Sequence, residues 1–185
     1  THWCMSSRVD GAFEYFNNVG HPLSQEDRVL SFLPLSHIFD RCCSQWAAIW
    51  LGASIAYADS AATLIHDLPH YNPTWFSCVP RLYEKIYMQF QQQLAESRVK
   101  KMLFHWALSV GEKALAYRSD DHGRIDMRPE FNLPAKLPFV LRLQYSLADK
   151  LFAKVRAIFG SRFRFSFSAS AGIAPELLRF FYIMG

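Results

Sequence analysis

The stretch "RVLSFLPLSHIFDR", residues 28–41, decides how the rest of the chain is read. Phe32, Leu33 and Leu35 belong to an apolar run that reads as a buried strand. Pro34 has no N–H to give to a ladder, so the strand should end there. His37 and Arg41 then lie just past the carboxyl end of that strand, which is where open α/β sheets hold their ligands.

Working outward, three more strands are expected: "ASIAYA" (53–58), "TWFSCV" (74–79) and "SRFRFSFSAS" (161–170). In the last, Phe163, Phe165 and Phe167 alternate with Arg162, Arg164 and Ser166, which predicts one apolar face. Helical segments separate the strands. One spans 3–19, and one runs from Arg41 to Leu51 and is stopped by Gly52. The stretch 58–73 reads as a short helix and a loop, with Pro69 and Pro73 as breaks. Tyr83, Ile86, Tyr87, Phe90 and Leu94 keep helical spacing, and Val99, Met102, Leu103, Trp106 and Val110 continue it, predicting a helix over 81–118. A second, over 139–159, has Leu141, Tyr145, Ala148, Phe152, Val155 and Phe159 on one face. These two helices are expected to pack together with Leu103 in their seam. Residues 119–138 read as an irregular connection, and Pro175 opens a closing helix. The alternation predicts an α/β fold, a mainly parallel sheet flanked by helices, with a long helical insertion at about 81–159.

Composition narrows the class. With 185 residues, 51% hydrophobic and 16% aromatic, the chain can bury one substantial core and is not disordered. The net charge of +4 is scattered and no basic tract stands out, which speaks against nucleic acid. Cys4, Cys42, Cys43 and Cys78 lack CxxC spacing and read as buried, reduced thiols of a cytosolic protein. The longest small and apolar run, 46–58, is too short to span a bilayer. The chain opens on Thr1 and closes on "RFFYIMG", which reads as an excerpt of a longer protein.

Two loops can carry chemistry. "PLSHIFDR" offers His37 as either a hydrogen-bonded structural residue or a ligand contact, and Arg41 as a partner for a carboxylate. "SFSASAGIAP" is a small-residue loop before a helix start, where backbone N–H groups favour anions and a flat ligand can approach closely. Ser36 lacks a nucleophile-elbow context, and there is no Walker-type loop. From the residues alone, the reading stops at an α/β domain with two ligand-capable loops.

Four segments in order resemble the adenylate-forming ligases, specifically the long-chain fatty-acid–CoA ligases: Thr1-His2, "RVLSFLPLSHIFDR", "SCVPRLYEKIY" and "LFAKVRAIFGSRFRFSFSASAGIAPELLRFF". The resemblance implies that residues 1–185 are part of the large N-terminal, AMP-binding domain, without its phosphate loop or the C-terminal domain. It implies a reaction in which a long-chain fatty acid attacks ATP to give acyl-adenylate, and the thiol of coenzyme A then displaces AMP. Magnesium would be held outside these residues, and the 185 residues alone would be inactive. His37 matches a donor near the reacting carboxylate, and Phe39 a wall of the acyl pocket. Ser170, Ala171 and Gly172 match the loop along the adenine. Ala169 stands where the family commonly has Gly, Gly172 where it has Pro, and Asp40 where a longer Glu is usual. Phe163, Phe165, Phe167 and the face from Tyr83 read as core, with an acyl tunnel as their other use. The location implied is cytoplasmic, with peripheral membrane contact as an option. Two rival readings are a non-catalytic membrane-surface module using Phe104, Trp106 and Lys100-Lys101, and a degenerate relative that has lost nucleotide binding.

Overall fold

The computed structural model describes residues 2–60, 62–126, 128 and 130–185, so Thr1 of the Thr1-His2 pair lies outside the described residues. The chain divides into two compact units: Thr1–Pro80 with Ala157–Ala171, and Arg81–Arg156 with Gly172–Gly185.

The first unit holds the sheet. Strands β1 (Arg28–Ser31), β2 (Ser54–Tyr57), β3 (Trp75–Cys78) and β4 (Phe165–Ser168) lie in the order β2-β1-β3-β4. Every pairing is parallel, and Ala56, Leu30, Phe76 and Ser166 form one row across it. Because β1 is followed by its neighbour on one side and β3 by its neighbour on the other, the connections leaving them diverge. The carboxyl ends of β1 and β3 therefore flank a topological switch point.

The pleat sends alternate residues to opposite faces. Val29 and Trp75 pack with Ala47 and Ala48, and Phe13, Leu23, Phe165 and Phe167 lie against them. Phe76 turns the other way, onto Phe159 and Phe163. The expected single face of Phe163, Phe165 and Phe167 is therefore split: β4 begins at Phe165, and Phe163, not yet bound by the pleat, packs on the opposite side.

The amino ends of the strands are latched by polar groups. Arg164 donates to both carboxylate oxygens of buried Asp27, at 2.9 and 3.1 Å, and Thr74 Oγ1 accepts from the Arg28 N–H.

Helix α1 (His2–Asn18) runs through Gly11 without a break. A continuous helical run then starts at Ile38, earlier than expected, as α2 (Ile38–Asp40), a π-helical turn (Arg41–Trp46) and α3 (Ala47–Leu51). Gly52, at φ 69°, ends it in the left-handed conformation that a side chain would strain. Pro69 does not break its segment: it lies inside α4 (Leu64–Tyr71). Only one ladder donor is lost there, and the helix ends at Asn72, whose left-handed φ of 45° and following Pro73 turn the chain.

In the second unit, the segment read as one helix over 81–118 is two, α5 (Pro80–Ala95) and α6 (Arg98–Ala116). Ser97 caps the second by accepting from the Lys100 N–H. The connection that follows contains a short helix, α7 (Leu133–Lys136), before α8 (Phe139–Arg156), and α9 (Pro175–Met184) closes the chain.

Helix α6 does pack on α8: Phe104 meets the Phe152 ring at 6.4 Å, Gly111 lies against Phe152, and Ala107, Val110 and Ala114 on the same helix are buried. Leu103 is 45% exposed and Met102 66%, so the expected seam residue lies outside the seam. A side chain at Gly111 would run into Ile183 and Phe152, so this face is closely packed, and the stripe from Val99 to Trp106 is left on the flank.

Candidate functional site

The site is built where β1 runs out. The Pro34 carbonyl accepts from the His37 N–H at 2.9 Å, closing a turn that returns the chain over the strand end. His37 is the N-cap of α2, in extended conformation, and its Nδ1 accepts the Phe39 N–H at 3.1 Å. A ring nitrogen that accepts a backbone N–H carries no proton, so the other nitrogen, Nε2, is the donor. The imidazole is exposed, and it presents an N–H near the switch point.

Phe39 is half-buried and meets the edge of Phe167 at 6.0 Å. Phe167 stacks on Trp75 at 5.9 Å, Trp75 on Phe165 at 6.2 Å, and Phe165 on Phe16 at 5.0 Å. His37 and Phe39 are thus brought together, and Phe39 is tied to β4 two residues before the small-residue loop begins. Arg41 does not meet a carboxylate as expected. Its Nε donates to the Leu35 carbonyl at 2.7 Å, which clamps the turn that carries His37.

The second loop leaves β4 at Ser168, whose hydroxyl is buried without a hydrogen-bond partner among the described residues. The Ala169 N–H still donates to the Cys78 carbonyl, so the ladder extends one residue past the strand. Ser170 has φ 74°, a left-handed conformation rare for a side chain-bearing residue, of the kind held at ligand-binding turns. Ser170 and Ala171 are exposed and close the first unit, while Gly172 opens the last segment of the second. A methyl group on Gly172 would meet nothing within 4 Å, so the absence of a side chain there is not a packing requirement.

Beneath His37 lies a cluster that sequence reasoning missed. Asp40 is fully buried; its Oδ2 accepts from Ser31 at 2.6 Å, and its Oδ1 from Ser44 at 2.7 Å and Ser77 at 3.3 Å. The Ser44 and Ser77 hydroxyls are themselves 2.9 Å apart. Sequence reasoning marks Asp40 only as a shorter residue where the resembled family usually has Glu, and does not single out the serines around it.

Cys43, next along the π turn, is half-buried, and burial, with the nearby Cys42 and Asp40, pushes its thiol up to about 11. None of the cysteines forms a disulfide among the described residues, but Cys4 is exposed, and only Cys78 is buried as expected.

No group of three or more His, Cys, Asp or Glu that could hold a metal ion occurs among the described residues.

Comparison with known proteins gives this geometry a context. The chain is 29% identical over 179 residues to long chain acyl-CoA synthetase 3 of Arabidopsis thaliana, covering 95% of this chain and 24% of that protein. It is 34% identical over 164 residues to long-chain-fatty-acid–CoA ligase ACSBG1 of Rattus norvegicus, covering 85% of this chain and 20% of that protein. The chain therefore spans about a quarter or less of the length of these curated relatives. Among solved structures, the adenylation domain of a carboxylate reductase from Mycobacterium chelonae aligns with a TM-score of 0.48 and 20% identity, over 86% of this chain and 19% of that one. The family model described as AMP-binding enzyme matches residues 1–185, and the chain belongs to that family.

Proposed function

We propose that these residues form part of an ATP-dependent ligase that activates a long-chain fatty acid as acyl-adenylate and passes it to coenzyme A. The observation that carries this reading is His37: a donor at the carboxyl end of β1, fixed as an N-cap, beside an aromatic wall of Phe39 and Phe167. Both half-reactions develop or move negative charge at a carboxyl group, so a positioned N–H contributes more than an acid–base pair would. In this reading Nε2 donates to the fatty carboxylate, and Phe39 borders the acyl chain. The left-handed turn at Ser170, with Ala171 and Gly172, lies along the adenine. ATP and coenzyme A are substrates, and magnesium shields the triphosphate through ligands that these residues do not provide.

The test is His37→Ala in the full polypeptide that carries these residues. A hydrogen bond to a charged group is worth about 1.5–3 kcal/mol, so fatty-acid-dependent ATP–pyrophosphate exchange should fall roughly ten- to a hundredfold. Thiolysis of supplied acyl-adenylate should suffer less, because that carboxyl is already esterified. Unchanged exchange with unchanged melting would overturn the role, while a lower melting temperature with both half-reactions depressed would mark a structural histidine.

A second reading, peripheral contact with a membrane surface, is favoured by the exposed Val99, Met102, Leu103 and Trp106 of α6, which lie among Arg98, Lys100 and Lys101. Phe104, expected at such an interface, is buried and belongs to the core.

A further inference from the structure

We propose that Asp40 is a positioning residue, whose buried carboxylate holds the His37 turn against the carboxyl ends of β1 and β3. Its catalytic consequence rests on the ligase reading above; its positioning role does not.

The cluster is costly unless it serves placement. Removing a carboxylate from water is unfavourable without a compensating cation. None of the ion pairs among the described residues includes Asp40. What compensates it is three hydroxyls, from Ser31 on β1, Ser77 on β3 and Ser44 on the π turn. Each comes from a different piece of chain, so one side chain joins both strands at the switch point to the helix that leaves it.

The helix start is arranged to free Asp40 for this. His37 is the N-cap, which places Asp40 at the third helical position, where an acidic side chain commonly reaches back to the N-cap N–H. Here that N–H is already taken by the Pro34 carbonyl, and capping falls to the imidazole. Asp40 turns inward instead. The π turn that follows brings Ser44 within reach of Oδ1, and Arg41 ties the outer side of the same turn to the Leu35 carbonyl. The turn that carries His37 is thus tied down by Asp40 through Ser31 and Ser77 and by Arg41 through the Leu35 carbonyl.

The experiment compares Asp40→Ala and Asp40→Asn in the full polypeptide that carries these residues, with two readouts. The first is amide hydrogen exchange at Phe39, whose N–H bonds His37, against Leu30 in the middle of β1. Positioning predicts that Asp40→Ala speeds exchange at Phe39 about tenfold more than at Leu30, since bonds to a charged group are lost locally. Asp40→Asn should show a smaller excess, because a serine hydroxyl can rotate to accept from the amide. If Asp40→Ala does not fold, the asparagine variant decides. Equal acceleration at both amides, or none at either, would overturn the proposal. The second readout is fatty-acid-dependent pyrophosphate exchange in the parental and His37→Ala backgrounds. Asp40→Ala should slow the parent about tenfold and leave the residual rate of the His37→Ala protein unchanged, because a group acting through another is silent once that other is gone. The same fold-loss in both backgrounds would also overturn the proposal. If Phe39 protection falls while His37→Ala exchanges at the parental rate, positioning by Asp40 stands and the ligase role of His37 fails.

Discussion

At the residue scale the site divides into what one position reveals and what only three-dimensional neighbours reveal. His37 could be singled out because a polar ring following an apolar strand is visible along the chain. Asp40 could not, because its partners lie 9, 4 and 37 positions away and are serines, the least conspicuous of donors. Cys43 shows the same dependence on environment. A thiol in water titrates near 9.0, but burial first, then the neighbouring charges of Cys42 and Asp40, raises that of Cys43 to about 11. The neutral thiol is therefore favoured in the fold, and only the thiolate is an effective nucleophile. Iodoacetamide at pH 8 should label exposed Cys4 and spare Cys43, whose labelling should climb only as the pH nears 11. The sign for stability follows: the unfolded chain gives up this proton first, so the contribution is full below about 9 and is lost as pH rises through about 11. Prompt labelling of Cys43 at pH 8 in the folded protein, read by peptide mass mapping, would contradict the burial argument.

At the scale of the element, periodicity located the helices but not always their inward face. On α8 the expected stripe holds, with Ala148, Phe152 and Val155 buried. On α6 the stripe from Val99 to Trp106 has the right spacing and the wrong side, because the buried face alternates Phe104 and Val110 with Ala107, Gly111 and Ala114, which carry little hydrophobic signal. Ser97 was a legible cap, masked by apolar spacing that continues across it. Similarly, alternation over 161–170 implied a longer strand than β4, since the pleat governs only residues inside the ladder. The phase of α6 is directly testable. Phe104→Ala should cost about 3–5 kcal/mol, as a buried aromatic packed on Phe90 and Phe152 leaves a cavity. Leu103→Asp should stay within roughly 0.5 kcal/mol, as surface changes do. Equal destabilisation by the two, in chemical denaturation, would mean the helix is turned otherwise. Flotation of the Leu103→Asp protein with anionic vesicles adds a second answer: loss of binding at unchanged stability supports the membrane contact, and binding that survives removes this stripe from it.

At the scale of the whole molecule, the alternation of strands and helices made the α/β class legible, and the insertion at about 81–159 lies close to the Arg81–Arg156 segment of the second unit. That Gly172–Gly185 belongs with that segment was not legible, because the association is made through contacts distant in sequence, such as Phe180 on Phe104 and Tyr87. The distribution of charge in the sheet-bearing unit bears on what these residues can do alone. Three of its five arginines lie at the amino ends of the strands, where Arg28, Arg162 and Arg164 donate to the carbonyls of Tyr71, Glu26 and Pro22. Ligands of such a sheet sit at the opposite, carboxyl end. There Arg41 already donates through Nε to the Leu35 carbonyl. A triphosphate bound at that end would need several fixed donors or a divalent cation to offset its charge. The 185-residue chain alone should therefore form no acyl-adenylate that hydroxylamine can trap from palmitate, ATP and magnesium. Hydroxamate above a heat-treated control would show that the carboxyl end supplies enough positive potential by itself, and would move the source of phosphate binding into these residues.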